Sequence, residues 1–338
     1  MNFLFLNKSH TATKRWTSEE VTEATLESYL DLAEAVFQLG QMDKAGEMLE
    51  RAAEVAHDLP EDDPRLARTL NKLGVVRGRQ GRHSEAERLL KRAVGIMERA
   101  SAGPNADLAN CVFNLATVYR LSGKMPQARS VFARALKTAE DAHGARSLAA
   151  AWALDQIGDV DAAEGDLSSA FFALRRALAI KEETLGADDW DVAVTLGKLG
   201  EVYFKQGRYN EAEPLLVRAI GIRERVMGWG DPAMARPLMR LAHLYARQRK
   251  NDRAEQIVRY ALTLFSRLLP STDDPEIIGC LNLLAEIYRG LSRYADADMV
   301  WKLAQGLISG SEGRQQVVRL HYPHPPRIAV RQPQVSEA

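Results

Sequence analysis

The sequence predicts an all-α protein, an α-solenoid built from seven copies of one helix-turn-helix unit. A short phrase, seen best at Gly207-Arg208-Tyr209, recurs along the 338-residue chain. Its first residue, here called the anchor, returns at intervals of 41 to 43 residues. Such a fixed period over most of a chain is the signature of a repeat architecture. The seven anchors are Gly40, Gly81, Gly123, Gly165, Gly207, Arg249 and Ser292.

Three further positions keep the same register in all seven units. The residues five and twelve places after the anchor are always alanine, and the residue eight places before it is Leu or Ile. The residue seven places before the anchor is always Gly or Ala. Small residues seven apart lie on one helix face, where a larger side chain would hold a neighbouring helix away. These positions therefore predict close helix-on-helix packing in every unit.

Two helices are predicted on either side of each anchor. Leu196, Leu199 and Val202 precede Gly207 at helical spacing, and Ala212 and Leu216 follow it in the same way. This pattern predicts a first helix of about 15 residues and a second of about 19.

The turn between the two helices is predicted at the anchor. Glycine can take a positive φ without a Cβ clash. Arg249 and Ser292 occupy this position in the last two units. Their turns require either another geometry or strain of about 1 kcal/mol.

Helix ends between units carry their own signals. An Asp followed by Pro predicts an N-cap and a first helical residue. A glycine suits a helix C-terminus. The Asp-Pro pairs are Asp63-Pro64, Asp231-Pro232 and Asp274-Pro275, and the glycines are Gly186 and Gly228.

The predicted organisation has three parts. Residues 1–22 form an N-terminal segment, in which the apolar residues of 3–6 and Trp16 could cap the first unit. Residues 310–338 form a Pro- and Arg-containing tail, predicted to be partly disordered, in which Val317, Val318, Leu320 and Tyr322 could fold back on the last unit. The seven units between them span approximately 23–63, 64–106, 107–147, 148–190, 191–232, 233–275 and 276–309.

Composition disfavours several classes of partner and location. The chain has 45 basic and 45 acidic residues, so it lacks the basic excess typical of nucleic-acid binding. No apolar run approaches the roughly 20 residues of a membrane span. Only Cys111 and Cys280 are cysteines, which disfavours a disulfide scaffold and fits a reducing cytosol. We therefore expect a cytoplasmic protein that binds neither nucleic acid nor membrane.

No pattern of catalytic residues stands out. Ser122-Gly123-Lys124 lacks the spacing of a phosphate-binding loop. Cys111 and Cys280 occupy the same repeat position, which favours a packing role over a catalytic one. Since the repeats use most of the chain, we expect no enzyme activity, no catalytic residue, no cofactor and no metal site.

The repeat resembles a known family. Leu199-Gly200, Tyr203, Gly207, Ala212 and Ala219 are similar to the tetratricopeptide repeat (TPR) pattern. The period of about 42 residues resembles the long repeats of kinesin light chains and of bacterial signalling proteins. The resemblance implies a right-handed superhelix of stacked helix pairs, whose first helices line a concave groove.

Some positions depart from that pattern. Val36, Arg77 and Asp161 replace the usual tyrosine four places before the anchor, and the paired asparagines of kinesin light chains are matched only partly. A motor-cargo role is therefore not implied.

The resemblance also implies which residues face the groove, namely those 13, 10, 6, 3 and 2 places before the anchor. Arginine and asparagine at these places would bind a peptide backbone or acidic side chains, and aromatic residues would bind apolar ones. Units two and three are basic there, unit four is acidic and unit six is basic. The predicted partner-binding residues are Arg68, Asn71, Arg79, Asn110, Phe113, Thr117, Arg120, Trp152, Asp155, Asp159, Glu201, Phe204, Lys205, Arg236, His243, Arg247, Asn282, Glu286 and Arg289.

The favoured functional hypothesis is a non-catalytic scaffold or adaptor that binds a peptide or partner protein in the groove. Two alternatives stay open. The first is a ligand-sensing regulator that binds a small peptide and switches a partner. The second is a structural protein that self-associates through the ends of the solenoid.

Overall fold

The computed structural model is all-α in the part of the chain that it describes. The described residues are 18–100, 103, 105–231, 234–268, 274–309, 317, 319–321, 324–326 and 328, with the side chains of 18–21 and 268 excluded. The predicted cap residues of 3–6 and Trp16 lie outside them. None of the described helices is both long and apolar enough to cross a bilayer.

The chain divides into two compact units, residues 1–143 and 144–338. Helices pair within each unit, the two members of a pair packing against each other across the anchor turn. The first unit contains α1 (Ser18–Gln38), α2 (Met42–Ala56), α3 (Pro64–Arg79), α4 (His83–Ala100), α5 (Ala106–Leu121) and α6 (Met125–His143).

The second unit contains four helix pairs in its described part. They are α7 (Leu148–Glu164), α8 (Leu167–Leu185), α9 (Trp190–Lys205), α10 (Tyr209–Met227), α11 (Ala235–Arg247), α12 (Asn251–Leu268), α13 (Pro275–Gly290) and α14 (Tyr294–Ile308). The seven pairs are called repeats 1 to 7 below, and the predicted all-α repeat fold is confirmed.

The anchor turns explain the regularity of the helix pairs. All five glycine anchors have positive φ, as in Gly81 at 77°. Arg249 and Ser292 keep the same left-handed conformation, with φ of 59° and 58°. The last two repeats therefore use the common turn geometry and carry its strain in residues that have a Cβ.

The small-residue positions are core positions. The alanines five and twelve places after the anchor are buried in every repeat. Gly74, seven places before its anchor, leaves no space for a Cβ, which would come within 2.6 Å of Leu90 Cγ. Small residues are thus required where the two helices of a repeat approach most closely.

Most of the predicted helix ends are confirmed. Asp63 and Asp274 cap α3 and α13 through their side chains, each with proline as the first helical residue. Gly186 and Gly228 end α8 and α10. Pro232, the first helical residue predicted after Asp231, lies outside the described residues, and α11 as described begins at Ala235.

Part of the C-terminal segment packs on the second unit. Val317 and Leu320 are buried in the core cluster formed by α10 to α14. The Arg259 guanidinium on α12 donates to the Leu320 carbonyl at 2.9 Å, and the His321 ring lies 3.0 Å from the Ser266 hydroxyl. Val317 and Leu320 thus pack as predicted, with their backbone held by α12, whereas Val318 and Tyr322 lie outside the described residues.

Candidate functional site

The predicted groove residues all lie on first helices of repeats, namely α3, α5, α7, α9, α11 and α13. Their exposure differs. The exposed residues are Arg68, Arg79, Asn110, Trp152, Lys205, Arg236, His243, Arg247, Asn282, Glu286 and Arg289. The half-buried residues are Asn71, Phe113, Thr117, Arg120, Asp159, Glu201 and Phe204. Asp155 is buried.

A cavity of about 290 Å³ lies in the first unit, between α1, α3 and α5. Three asparagines line it, Asn71 on α3 with Asn110 and Asn114 on α5. The Asn114 side-chain amide donates to the Asn71 carbonyl oxygen at 3.0 Å. Two of the predicted residues are thus brought together with a third that the prediction omitted. The rest of the lining is Ala33, Glu34, Phe37, Leu49, Lys72, Val75 and Val76.

Two arginines lie near the C-terminal ends of these neighbouring helices. The Arg79 guanidinium on α3 lies 5.1 Å from the ring centroid of Phe37, a lining residue of the cavity. On α5, the buried Arg120 Nε has no hydrogen-bond partner among the described residues. Arg68 differs, since it pairs with Glu27 at 3.4 Å across the exposed surface. Arg79 therefore lies beside the cavity through its contact with Phe37, and Arg120 keeps an unpaired Nε–H group among the described residues.

A polar link between consecutive repeats recurs along these helices. It joins a cation nine places before one anchor to a carboxylate six places before the preceding anchor. Its members are Lys72 with Glu34 at 2.9 Å, Lys198 with Asp159 at 2.8 Å, and Arg240 with Glu201 at 3.7 Å. The link neutralises acidic residues that would otherwise present charge to a ligand.

Repeats 2 and 3 use a different link. Asn114 stands nine places before its anchor, where Lys72, Lys198 and Arg240 stand in other repeats. It bonds Asn71, an uncharged residue. Asn71 stands ten places before its anchor, so this link uses a different partner position, and its two uncharged amides line the cavity.

The acidic surface predicted for repeat 4 is corrected by the structure. Asp155 is 3% exposed and pairs with Lys181 on α8, which is 1% exposed. The Thr195 hydroxyl on α9 donates to Asp155 at 3.0 Å and accepts from Lys181 at 3.1 Å. Since Asp159 pairs with Lys198, both carboxylates of this repeat are neutralised by lysines of α8 and α9.

The predicted aromatic residues divide between packing and surface. Phe113 stacks edge-on against Phe132 at 5.5 Å, and Phe204 packs on Tyr209 at 5.4 Å. Trp152 is 45% exposed, and its indole nitrogen donates to Asp191 at 3.0 Å. Trp152 thus offers more free ring surface than the two phenylalanines.

Comparison with known proteins agrees with the repeated helix-pair fold. The family model described as tetratricopeptide repeat matches residues 24–99, 107–183, 174–225 and 191–267. The chain belongs to the tetratricopeptide repeat family. Among curated protein sequences, none is similar enough to this TPR chain to count as a match.

Solved structures share the fold at low identity. The quorum sensor NprR from B. thuringiensis, in its apo form, is 16% identical with a TM-score of 0.63, covering 85% of this chain and 77% of NprR. A Rap protein complexed with Competence and Sporulation Factor is 16% identical with a TM-score of 0.54, covering 88% of this chain and 76% of the Rap protein. BtubC (BKLC) from P. vanneervenii is 18% identical with a TM-score of 0.56, covering 73% of this chain and 93% of BtubC.

Sequence reasoning missed the contribution of repeat 1. Glu34 and Phe37 line the cavity from α1, six and three places before Gly40. The register used for the later TPR units would have found both residues. Lys72 and Asn114 stand nine places before their anchors, a position outside the groove-facing set that the resemblance implied.

Burial shifts the pKa of two cysteines and one histidine. Burial raises the pKa of the Cys111 thiol to about 12. Burial also raises the pKa of the Cys280 thiol. Desolvation lowers the pKa of His243, against the opposing effect of Glu286 and Glu201. In the described part of the chain, no three His, Cys, Asp or Glu residues form a group that could hold a metal.

Proposed function

We propose that this TPR chain is a non-catalytic scaffold or adaptor, which captures an extended peptide segment of a partner protein in the cavity of the first unit. The observation that carries the proposal is the Asn71–Asn114 amide pair, which lines that cavity beside Asn110. Elongated repeat arrays commonly use such surfaces to bind other proteins.

Side-chain amides suit an extended peptide because each has both donors and acceptors. An asparagine has two N–H donors and one carbonyl acceptor with two lone pairs. The bond between Asn114 and Asn71 uses one donor and one acceptor lone pair. The pair therefore keeps hydrogen-bonding capacity for the N–H and C=O groups of a peptide backbone, whereas an ion pair at this position would offer only charge.

The size of the cavity favours a few side chains over a larger ligand. Its volume of about 290 Å³ is at the lower end of the roughly 300–1,000 Å³ of small-molecule sites. Phe37, Val75 and Val76 give it an apolar wall. We infer that it accepts one or two apolar side chains of the bound segment.

Arg79 and Arg120 define the charge of that segment. Both guanidinium groups lie near the C-terminal ends of α3 and α5, which pack against each other. A guanidinium can bind a carboxylate through two parallel hydrogen bonds. An Asp or Glu next to the apolar side chains of the peptide would therefore meet these two arginines.

Selection from a displayed library of random twelve-residue peptides tests the proposal. We expect the full chain to enrich peptides that combine an acidic residue with apolar neighbours. The variant Asn71→Ala should weaken binding of a selected peptide about tenfold, the effect of one to two lost hydrogen bonds. The variant Arg79→Glu with Arg120→Glu should weaken it further.

The second unit supplies matched controls. Asn282 and Arg289 stand ten and three places before Ser292, as Asn71 and Arg120 stand before their own anchors. The variants Asn282→Ala and Arg289→Glu should leave binding of the selected peptide unchanged, with folding checked by circular dichroism. Equal losses in both sets of variants, or peptides without acidic residues, would contradict the proposal.

A ligand-sensing regulator is the second candidate, and the likeness to a quorum sensor and to a Rap protein complexed with Competence and Sporulation Factor favours it. Small-angle scattering separates the two candidates. A sensor should become more compact when the selected peptide is added at saturation, whereas a scaffold should keep its radius of gyration.

A further inference from the structure

The last helix of the array has an exposed apolar stripe. Tyr294, Trp301 and Ile308 of α14 are 66%, 44% and 60% exposed. They are seven residues apart, so they lie on one face of the helix. A contiguous apolar face on a protein surface commonly marks an interaction site.

The repeat register shows what normally covers this face. The position of Trp301, nine places after the anchor, is buried in all six earlier repeats. Its equivalents are Leu49, Leu90, Phe132, Leu174, Leu216 and Val258, none more than 3% exposed. The position of Ile308, sixteen places after the anchor, is filled in repeat 4 by Lys181, which is 1% exposed.

Repeats 4 and 5 show the covering element. Leu174 of α8 shares a buried cluster with Leu199 and Val202 of α9. Lys181 of α8 donates to Thr195 of α9. The face that is exposed on α14 is therefore the face that the first helix of the next repeat covers.

The first helix of the array has the complementary exposed face. Leu32, eight places before its anchor, is 50% exposed, and Leu39, one residue beyond the end of α1, is 72% exposed. The position of Leu32 is buried in every later repeat, by Leu73, Leu115, Ile157, Leu199, Leu241 and Leu284. Ala35 is likewise exposed, whereas its equivalents in repeats 2 to 7 are buried.

We propose that α1 of one copy of this chain docks on α14 of a second copy, and so repeats between molecules the interface that joins consecutive repeats. The repeat register identifies α1 as the partner helix, because α1 exposes the same register positions that α9 packs against α8. Ser28 on this face donates to the Ala24 carbonyl at 2.7 Å, so covering it leaves no unpaired hydroxyl donor.

The contact joins two different surfaces, so each copy keeps one free face and assembly can continue beyond a dimer. One helix pair buries less area than a standard protein interface. Association is therefore expected to be weak, and its detection needs high protein concentration. The inference does not depend on the proposed peptide site, which Glu34 and Phe37 line from another face of α1.

Sedimentation velocity of the full chain from low to high concentration tests the proposal. The wild-type protein should form dimers and larger species as concentration rises. The variants Trp301→Glu and Leu32→Glu should each remain monomeric. Mixed in equal amounts, they should form a dimer and nothing larger, because each variant retains the face that the other has lost.

A control variant changes an exposed aromatic residue elsewhere. Phe172 of α8 is 71% exposed, and Phe172→Glu should assemble as wild type does. Wild-type protein that stays monomeric throughout would overturn the proposal. So would a dimer that persists in Leu32→Glu and is lost in Trp301→Glu, because that result would show two α14 stripes pairing with each other.

Discussion

Repeats 2 and 4 place different chemistry at the same register position. Asn71 stands ten places before Gly81, and Asp155 stands ten places before Gly165. Asn71 is half-buried, bonds another amide and lines a cavity. Asp155 is buried and bonds Lys181 and Thr195.

The same register position therefore lines a cavity in one repeat and forms a buried ion pair in another. An amide at the position satisfies one neighbour and still has hydrogen-bonding groups for a ligand. A buried carboxylate at this position must be neutralised, and the lysine side chain that neutralises it occupies the space beside it. We expect the first position to matter for binding and the second for stability.

The largest expected effect follows from removing the buried cation. Lys181→Met leaves the Asp155 carboxylate buried without its main partner, which should lower the free energy of unfolding by about 3–5 kcal/mol. Lys198→Met, its control, should cost about 1 kcal/mol or less, since its closest ion pair is with the half-buried Asp159. Urea unfolding followed by circular dichroism measures both.

A double variant separates charge from packing. Asp155→Leu with Lys181→Met removes both buried charges and should recover most of the lost stability. If the double variant is as unstable as Lys181→Met alone, the network stabilises the fold through more than charge compensation.

The next effect comes from transplanting the charged link into the first unit. Asn71→Asp with Asn114→Lys replaces the amide pair by an ion pair at the register positions of Asp155 and Lys198, whose charged groups lie 3.9 Å apart. Stability should change by less than about 1 kcal/mol. Affinity for a library-selected peptide should fall at least about tenfold, or 1.4 kcal/mol, in fluorescence anisotropy.

A conservative exchange tests whether the effect is specific to the cavity. Asn282→Asp introduces the same charge at the same register position in repeat 7 and should leave anisotropy unchanged. If the transplanted ion pair binds the peptide as well as wild type does, the amides do not carry recognition.

The fold could be predicted from sequence because its determinants are local and repeated. A residue with positive φ, glycine in five of the seven units, and two alanines on one helix face recur at a fixed interval, so each copy supports the others. Even the helix caps at Asp63 and Asp274 are readable, since an N-cap and its proline are adjacent in the chain.

The site was less predictable because it depends on pairs from different helices. Asp155 and Lys181 are 26 residues apart, and nothing in either residue alone shows that they meet in the interior. Lys198 likewise neutralises Asp159 from the next repeat. A surface charge pattern read from single positions therefore overstated the acidity of repeat 4.

A smaller effect is expected at the two anchors that are not glycine. Arg249 holds φ at 59°, a conformation that glycine adopts without a Cβ clash. Arg249→Gly should raise the free energy of unfolding by about 1 kcal/mol, and Gly207→Arg should lower it by a similar amount. Thermal unfolding of the two variants checks the pair, and an increase in both would contradict the strain argument.

The smallest effect concerns pH. It arises at a second recurring link between repeats, in which a basic residue one place after an anchor bonds a Glu six places after the preceding anchor. Lys124 and Lys91 bond Glu87 and hold its pKa at about 2, and Lys250 helps to lower the pKa of Glu213. A lowered carboxyl pKa adds stability at pH above the ordinary pKa of about 4.5, and that stability is lost as pH falls toward 2.

The variant Glu87→Gln tests this link. Because the ion pairs of Glu87 with Lys91 and Lys124 are close to solvent, the variant should lower the free energy of unfolding by about 1 kcal/mol or less at pH 6. That difference from wild type should shrink to zero by about pH 2 in urea unfolding. A difference that stays constant over this range would mean that Glu87 acts through its shape and not through its charge.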